Sequence, residues 1–151
     1  MSYTKVDAIL ATGRKNLEVQ NAATETTVGA VTYSATQLLG GIILRDPNGA
    51  SRADLVPTAA ALLAAIKNGI PGTSTGGTGS VAPPVGTSFR FHIRNTADAA
   101  ETITVTTNTG VTLSGTMTIA QNNAKDFLAV FTDTRDGNAA YTLYSLGTVV
   151  F

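Results

Sequence analysis

His92 is the single histidine of this chain, so any nucleophile–histidine–acid chemistry would have to run through it. It stands in Ser88-Phe89-Arg90-Phe91-His92-Ile93-Arg94, on the polar side of an alternating run and between two arginines. Their charges disfavour the imidazolium that a general base must form, which points to a surface or interface histidine. Glycoside hydrolysis needs two carboxylates across a cleft, and Asp98, Glu101, Asp126, Asp133 and Asp136 form no motif for that. Asp133, Asp136, Gly137 and Asn138 look like a piece of a calcium loop. They lack the alternating ligands and distal glutamate of an EF-hand, so a hairpin turn is expected. The glycine-rich stretch 72–79 contains no Gly-Lys-Ser/Thr and leads into no helix, which removes a phosphate cradle. Cysteine is absent, which excludes thiolate catalysis, a disulfide scaffold and cysteine-ligated metal. The expectation is a protein that is not an enzyme and uses no cofactor, metal or small-molecule substrate.

The elements that would carry these residues are mostly strands. A half-buried strand alternates apolar and polar side chains. Phe89, Phe91 and Ile93 do so within 88–94, and Ile103 and Val105 alternate with Thr102, Thr104 and Thr106. Val111, Leu113, Met117 and Ile119 keep one face, with Gly115 in the slot where a side chain belongs, so a bulge or sharp bend is expected there. Phe127, Leu128, Val130 and Phe131 load both faces, as a central strand would. Tyr141–Tyr144 and Thr148–Phe151 read as two last strands. Turn chemistry at 95–98, 108–110, 121–123 and 136–138 separates these runs. The fold class is therefore mainly β, a β-sandwich or jelly-roll-like C-terminal domain over 85–151.

Ahead of it the chain changes character. Residues 1–35 carry mixed periodicities and read as an extended N-terminal arm packed on a partner or on the main body. Residues 36–70 hold short helices and a strand, packing on the β domain or on a neighbouring subunit. Ser34 caps a helix over Ala35–Leu39 that Gly40-Gly41 ends; Ile42–Leu44 is a strand, and 45–49 is a turn. A second helix follows, with Pro57 near its first turn, Thr58 as cap and Asn68-Gly69 as stop. Leu62, Leu63 and Ile66 share one of its faces and are candidate interface residues. Residues 71–84 form a flexible Gly/Thr/Pro linker or loop.

Composition bounds the partners. Lys and Arg number 10, Asp and Glu 10, and charged residues make up 13% of the chain against about a quarter in an average domain. Nucleic acid binding needs clustered positive charge, which is not present here. No stretch approaches the roughly 20 apolar residues of a membrane span. A surface this poor in charge suits one that rests against other protein, so self-association is expected. The run Leu146-Gly147-Thr148-Val149-Val150-Phe151 is apolar where ordinary termini fray into polar residues. Val149, Val150 and Phe151 are thus expected in a strand pair or subunit interface, or tucked into the chain's own core.

Several segments taken together resemble small structural proteins of tailed-bacteriophage heads. They are Gln37-Leu38-Leu39-Gly40-Gly41-Ile42-Ile43-Leu44-Arg45-Asp46-Pro47, Pro57–Leu62, Val85–Asn95, Gly110–Ile119 and Tyr144–Val149. The resemblance covers roughly residues 36–66 and 85–151. It implies a capsid decoration, or cement, protein: a homotrimer on the outside of the shell at three-fold positions, bridging capsomers of the major capsid protein. It also implies synthesis in the host bacterial cytoplasm, a virion location, and no catalytic residue to carry over. A phage tail or fibre component that binds a receptor is the alternative, since it too would be β-rich and oligomeric.

Overall fold

The computed structural model describes residues 20–69 and 82–151, which form two β-sheets and two helices around one core. The large sheet has six strands in the order β1 (Asn21–Glu25), β2 (Gly41–Arg45), β4 (Ser88–Asn95), β8 (Asn123–Asp133), β9 (Ala140–Val150) and β6 (Val111–Ser114). The small sheet has three, in the order β3 (Arg52–Leu55), β5 (Ile103–Thr106) and β7 (Thr118–Ile119). Helices α1 (Ala35–Leu39) and α2 (Ala59–Gly69) complete the elements. β1, β2 and β4 run parallel, as do β3 with β5 and β6 with β9; β4, β8 and β9 are antiparallel neighbours. The mainly β class and the two-layer arrangement follow the sequence pattern. The expected arm before 20 and the loop over 70–81 lie outside the described residues.

Alternation settles which side of each strand is inside. Phe91 and Ile93 of β4, Phe127, Ala129 and Phe131 of β8, and Tyr141 and Leu143 of β9 point into the core from the large sheet. Ile103, Val105 and Ile119 answer from the small sheet, and Leu38, Leu62 and Leu63 from the helices. Both halves of the chain thus contribute to one core. Phe91 stacks on Phe127 with ring centroids 5.3 Å apart, a geometry that adds to simple area burial.

Helix ends follow their sequence signals. The Ser34 side chain accepts from the Gln37 N–H while the Gln37 side chain accepts from the Ser34 N–H, closing a capping box. Thr58 Oγ1 accepts from the Ala61 N–H at 3.2 Å at the start of α2.

Gly115 marks the largest change of direction. Its φ of +96° is one that L side chains avoid. There the chain leaves β6 in the large sheet and enters β7 in the small one, so the expected bend is a switch between layers. A Cβ at this position would meet the Ser145 Cβ at 3.2 Å. Gly115→Ala is therefore expected to cost about 1–2 kcal/mol in urea unfolding, mostly from the backbone. A loss below a few tenths would show that the turn can relax.

Residues 20–35 lie along the main body. β1 pairs with β2, and the segment behind it is held by a buried ion pair. Arg45, read from the sequence as the first residue of a turn, ends β2 with its side chain fully buried against Asp54 of β3. All five guanidinium N–H groups find acceptors: Nε donates to Asp54 Oδ2 at 2.8 Å, Nη1 to the Thr27 and Asp46 carbonyls, and Nη2 to the Gly29 carbonyl and Asp54 Oδ1. Asp54 also accepts from the Val31 N–H at 3.0 Å and the Tyr33 hydroxyl at 2.8 Å.

Burial, then the Asp54 charge, pushes the Tyr33 phenol well above its usual range, and burial does the same for Tyr141, whose hydroxyl donates to the Pro57 carbonyl at 2.9 Å. A group whose pKa is raised by folding stabilises fully below its unfolded value of 10.0 and loses that contribution as pH climbs past it. Lys125 acts in the opposite sense: burial lowers its ammonium from 10.5, so its contribution rises with pH and is complete above that value. Stability is thus expected to fall above pH 10.5, with a slope approaching about 1.4 kcal/mol per pH unit for each tyrosine. Tyr141→Phe should halve that slope. A flat urea midpoint across this window would contradict the assignment.

Candidate functional site

The groups that could do chemistry are scattered over the fold. His92 projects from the outer face of β4, level with Asp126 of β8. They line a shallow depression of about 150 Å³ with Gln20, Gly41, Arg90 and Phe91, a set with no hydroxyl or thiol nucleophile. Asp133 is gripped by Arg135, whose hydrogen bonds hold its carboxyl down to about 2. Asp136 accepts from Lys67 Nζ of α2 at 2.7 Å, across a cleft of about 210 Å³ between the helix and the 136–139 turn. The calcium-like fragment is therefore a turn, with Gly137 at φ +82° and its carboxylates engaged by cations. Asp98 lies in an exposed loop, while Glu101 is buried just before β5, with Oε2 lacking a protein partner. Among the described residues, no three of these acids and His92 cluster as a metal site.

The six expected interface residues separate into two groups. Leu62 and Leu63 are 0% and 2% exposed within their own chain, and Ile66 is half-buried against the same core. Packing of α2 on the sheets consumes that stripe, so an interface role for Leu62 and Leu63 gives way to a core role. The face α2 leaves outside is Ala60, Ala61 and Ala64.

Val149, Val150 and Phe151 are different: they remain 61%, 75% and 46% exposed, joined by Leu146 at 45%. The option that this end is tucked into its own core is thereby removed. Topology explains the exposure. β9 is 11 residues long and β8 follows it throughout, but β6 pairs only with Tyr141–Tyr144 before Gly115 turns the chain away. From Ser145 to Val150, β9 thus has an open edge among the described residues. A register irregularity near Asp126/Phe127 leaves Leu146 without an opposite residue on β8, as in a bulge. Beyond the strand, the Phe151 N–H donates to the Asn122 carbonyl at 3.0 Å. The Arg94 guanidinium lies 3.3 Å from the centre of the Phe151 ring, a cation–π contact that holds the ring on the outer face.

Open strand edges normally carry charge, proline or a covering element that prevents pairing with another chain. Residues 145–151 carry no charged residue at all. At the opposite end of the large sheet β1 has, among the described residues, β2 on one side only, and Ala22 and Thr24 are exposed. The sequence pointed to the apolar run itself; that half of a single long strand would lie open was hidden, because Gly147 reads as a break between two strands.

No family model, curated protein or solved structure matches this chain.

Proposed function

We propose that this chain is a structural virion protein that binds the outside of a tailed-bacteriophage capsid and stabilises it by bridging capsomers. It acts as a homotrimer at three-fold positions, with the major capsid protein as its partner. The observation that carries the reading is the uncharged, open second half of β9, with Leu146, Val149, Val150 and Phe151 exposed. An edge of this kind is a binding surface for other protein. The resemblance of segments 36–66 and 85–151 to phage head proteins supplies the address. Linked copies raise the effective concentration of each further contact, so each docking contact can be weak while the assembly holds firmly.

The test is to mix the purified protein with shells that lack it. Saturable binding and a higher shell disruption temperature are the expected results. Shells that neither bind the protein nor gain heat resistance would overturn the proposal, as would immunogold labelling at the tail tip, which belongs to a receptor-binding fibre component.

A further inference from the structure

We infer that copies of this chain join edge to edge, the β1 edge of one continuing the large sheet beyond the β9 edge of the next, with Thr24 level with Val149. The inference rests on the proposed self-association and names the surfaces that make it.

Direction, level and phase agree. β1, β2 and β4 are parallel, β8 runs against them and β9 against β8, so β9 runs the same way as β1. Following the register across the sheet, Thr24 is level with Leu44, Arg94, Ala124 and then Val149. Ala22 is level in the same way with Ile42, His92, Asp126 and Gly147. β1 therefore sits at the height of the one part of β9 that β6 leaves uncovered. A second copy placed beside the first needs no slip along the strands.

Phase is the stricter condition. Successive residues of a strand aim their backbone groups to alternate sides. Asn21 N–H donates to the Gly40 carbonyl and the Glu25 carbonyl accepts from Asp46 N–H, so these residues face β2. Ala22 and Thr24 must then aim their N–H and C=O groups out of the sheet. On β9, Phe151 N–H points to Asn122 on the β8 side, so Val149 also faces β8, and Thr148 and Val150 face outward. In a parallel ladder, a residue aimed at its partner strand bonds to the two residues that flank the one it is level with. Thr24 would thus accept from the Val150 N–H and donate to the Thr148 carbonyl. A displacement of one residue in either strand would set these groups out of phase.

Side chains fit the same arrangement. β1 offers Ala22, Ala23 and Thr24, small residues beside which Leu146, Val149 and Val150 can be covered. Its one charge, Glu25, already accepts from the Thr27 N–H and hydroxyl. Contact between two different edges of one subunit is head-to-tail, and such contacts close into rings or grow into filaments. Absence of slip along the strands favours closure.

The chain has no cysteine, so paired cysteines report on this contact alone. In one chain, Thr24 and Val149 are separated by β2, β4 and β8, about 19 Å, too far for an internal disulfide. Thr24→Cys/Val149→Cys is expected, on mild oxidation, to give dimers and trimers on a non-reducing gel that collapse to one band with reductant. Each single variant should stay uncrosslinked. A protein that sediments as a multimer while the double variant fails to crosslink would overturn the edge contact and leave self-association standing. Crosslinking by Val149→Cys alone would overturn it in favour of β9 pairing with itself. A parent protein that sediments as a monomer would overturn both the contact and the self-association on which it rests.

Discussion

Asp54→Ala should lower unfolding stability by about 3–5 kcal/mol, as much as truncating a large side chain of the core. Without its partner, Arg45 would keep a full charge in a site closed to water, since both side chains are 0% exposed. The Tyr33 hydroxyl and Val31 N–H would lose their acceptor in the same change. The effect exceeds that of a surface pair because water cannot screen or replace what is lost. Hydrophobic replacement of both ions, as in Arg45→Met/Asp54→Leu, should cost less than the two single changes added together, because the buried charge goes with its partner. It should still fall short of the parent, since the Thr27, Gly29 and Asp46 carbonyls would be left with fewer donors. Urea unfolding of the four proteins, completing a double-mutant cycle, measures this coupling. An Asp54→Ala protein within about 1 kcal/mol of the parent would mean that the network does not hold the 26–34 segment in place.

Val149→Lys/Val150→Lys is the second large effect, and it falls on assembly rather than folding. Covering two exposed valines is worth about 3 kcal/mol at the lower end of the usual range, or roughly a hundredfold in affinity per contact. Two lysines remove that gain and put charge on an edge that has none, the device by which edge strands are normally kept from pairing. Sedimentation at micromolar concentration should show the variant as a monomer that keeps the parent's far-UV circular dichroism, with a urea midpoint that no longer depends on protein concentration. Self-association of unchanged strength would exclude the β9 edge as the interface.

Local pattern made the interior strands legible. Phe91 and Ile93 alternate because one face of β4 is core and the other is not, and the caps at Ser34 and Thr58 act within three residues of themselves. β1 and β3 carry no such mark. Asn21-Ala22-Ala23-Thr24-Glu25 is strand only because β2 lies beside it, and an edge strand with little to bury shows little periodicity. Asp54, inside β3, carries no local signal that Arg45, nine residues earlier, meets it. The stripe of Leu62, Leu63 and Ile66 announced burial without saying against what, and the answer was the chain's own sheets. For Val149, Val150 and Phe151 the sequence supplied the apolar character, but exposure depended on where β6 stops, which Gly115 decides.

Pairing of β2 with β4 also imposes an order in time. Ile42 lies beside His92, and Arg45 beside Asn95, so a ribosome that has just released β2 must add about fifty further residues before β4 can join it. At about 5–20 residues per second, the strand Ile42-Ile43-Leu44 waits several seconds with its next neighbour still unmade. Its first neighbour, β1, is already available on the other side. β1 thus shields a nascent apolar segment from one side during synthesis, before the rest of the large sheet exists.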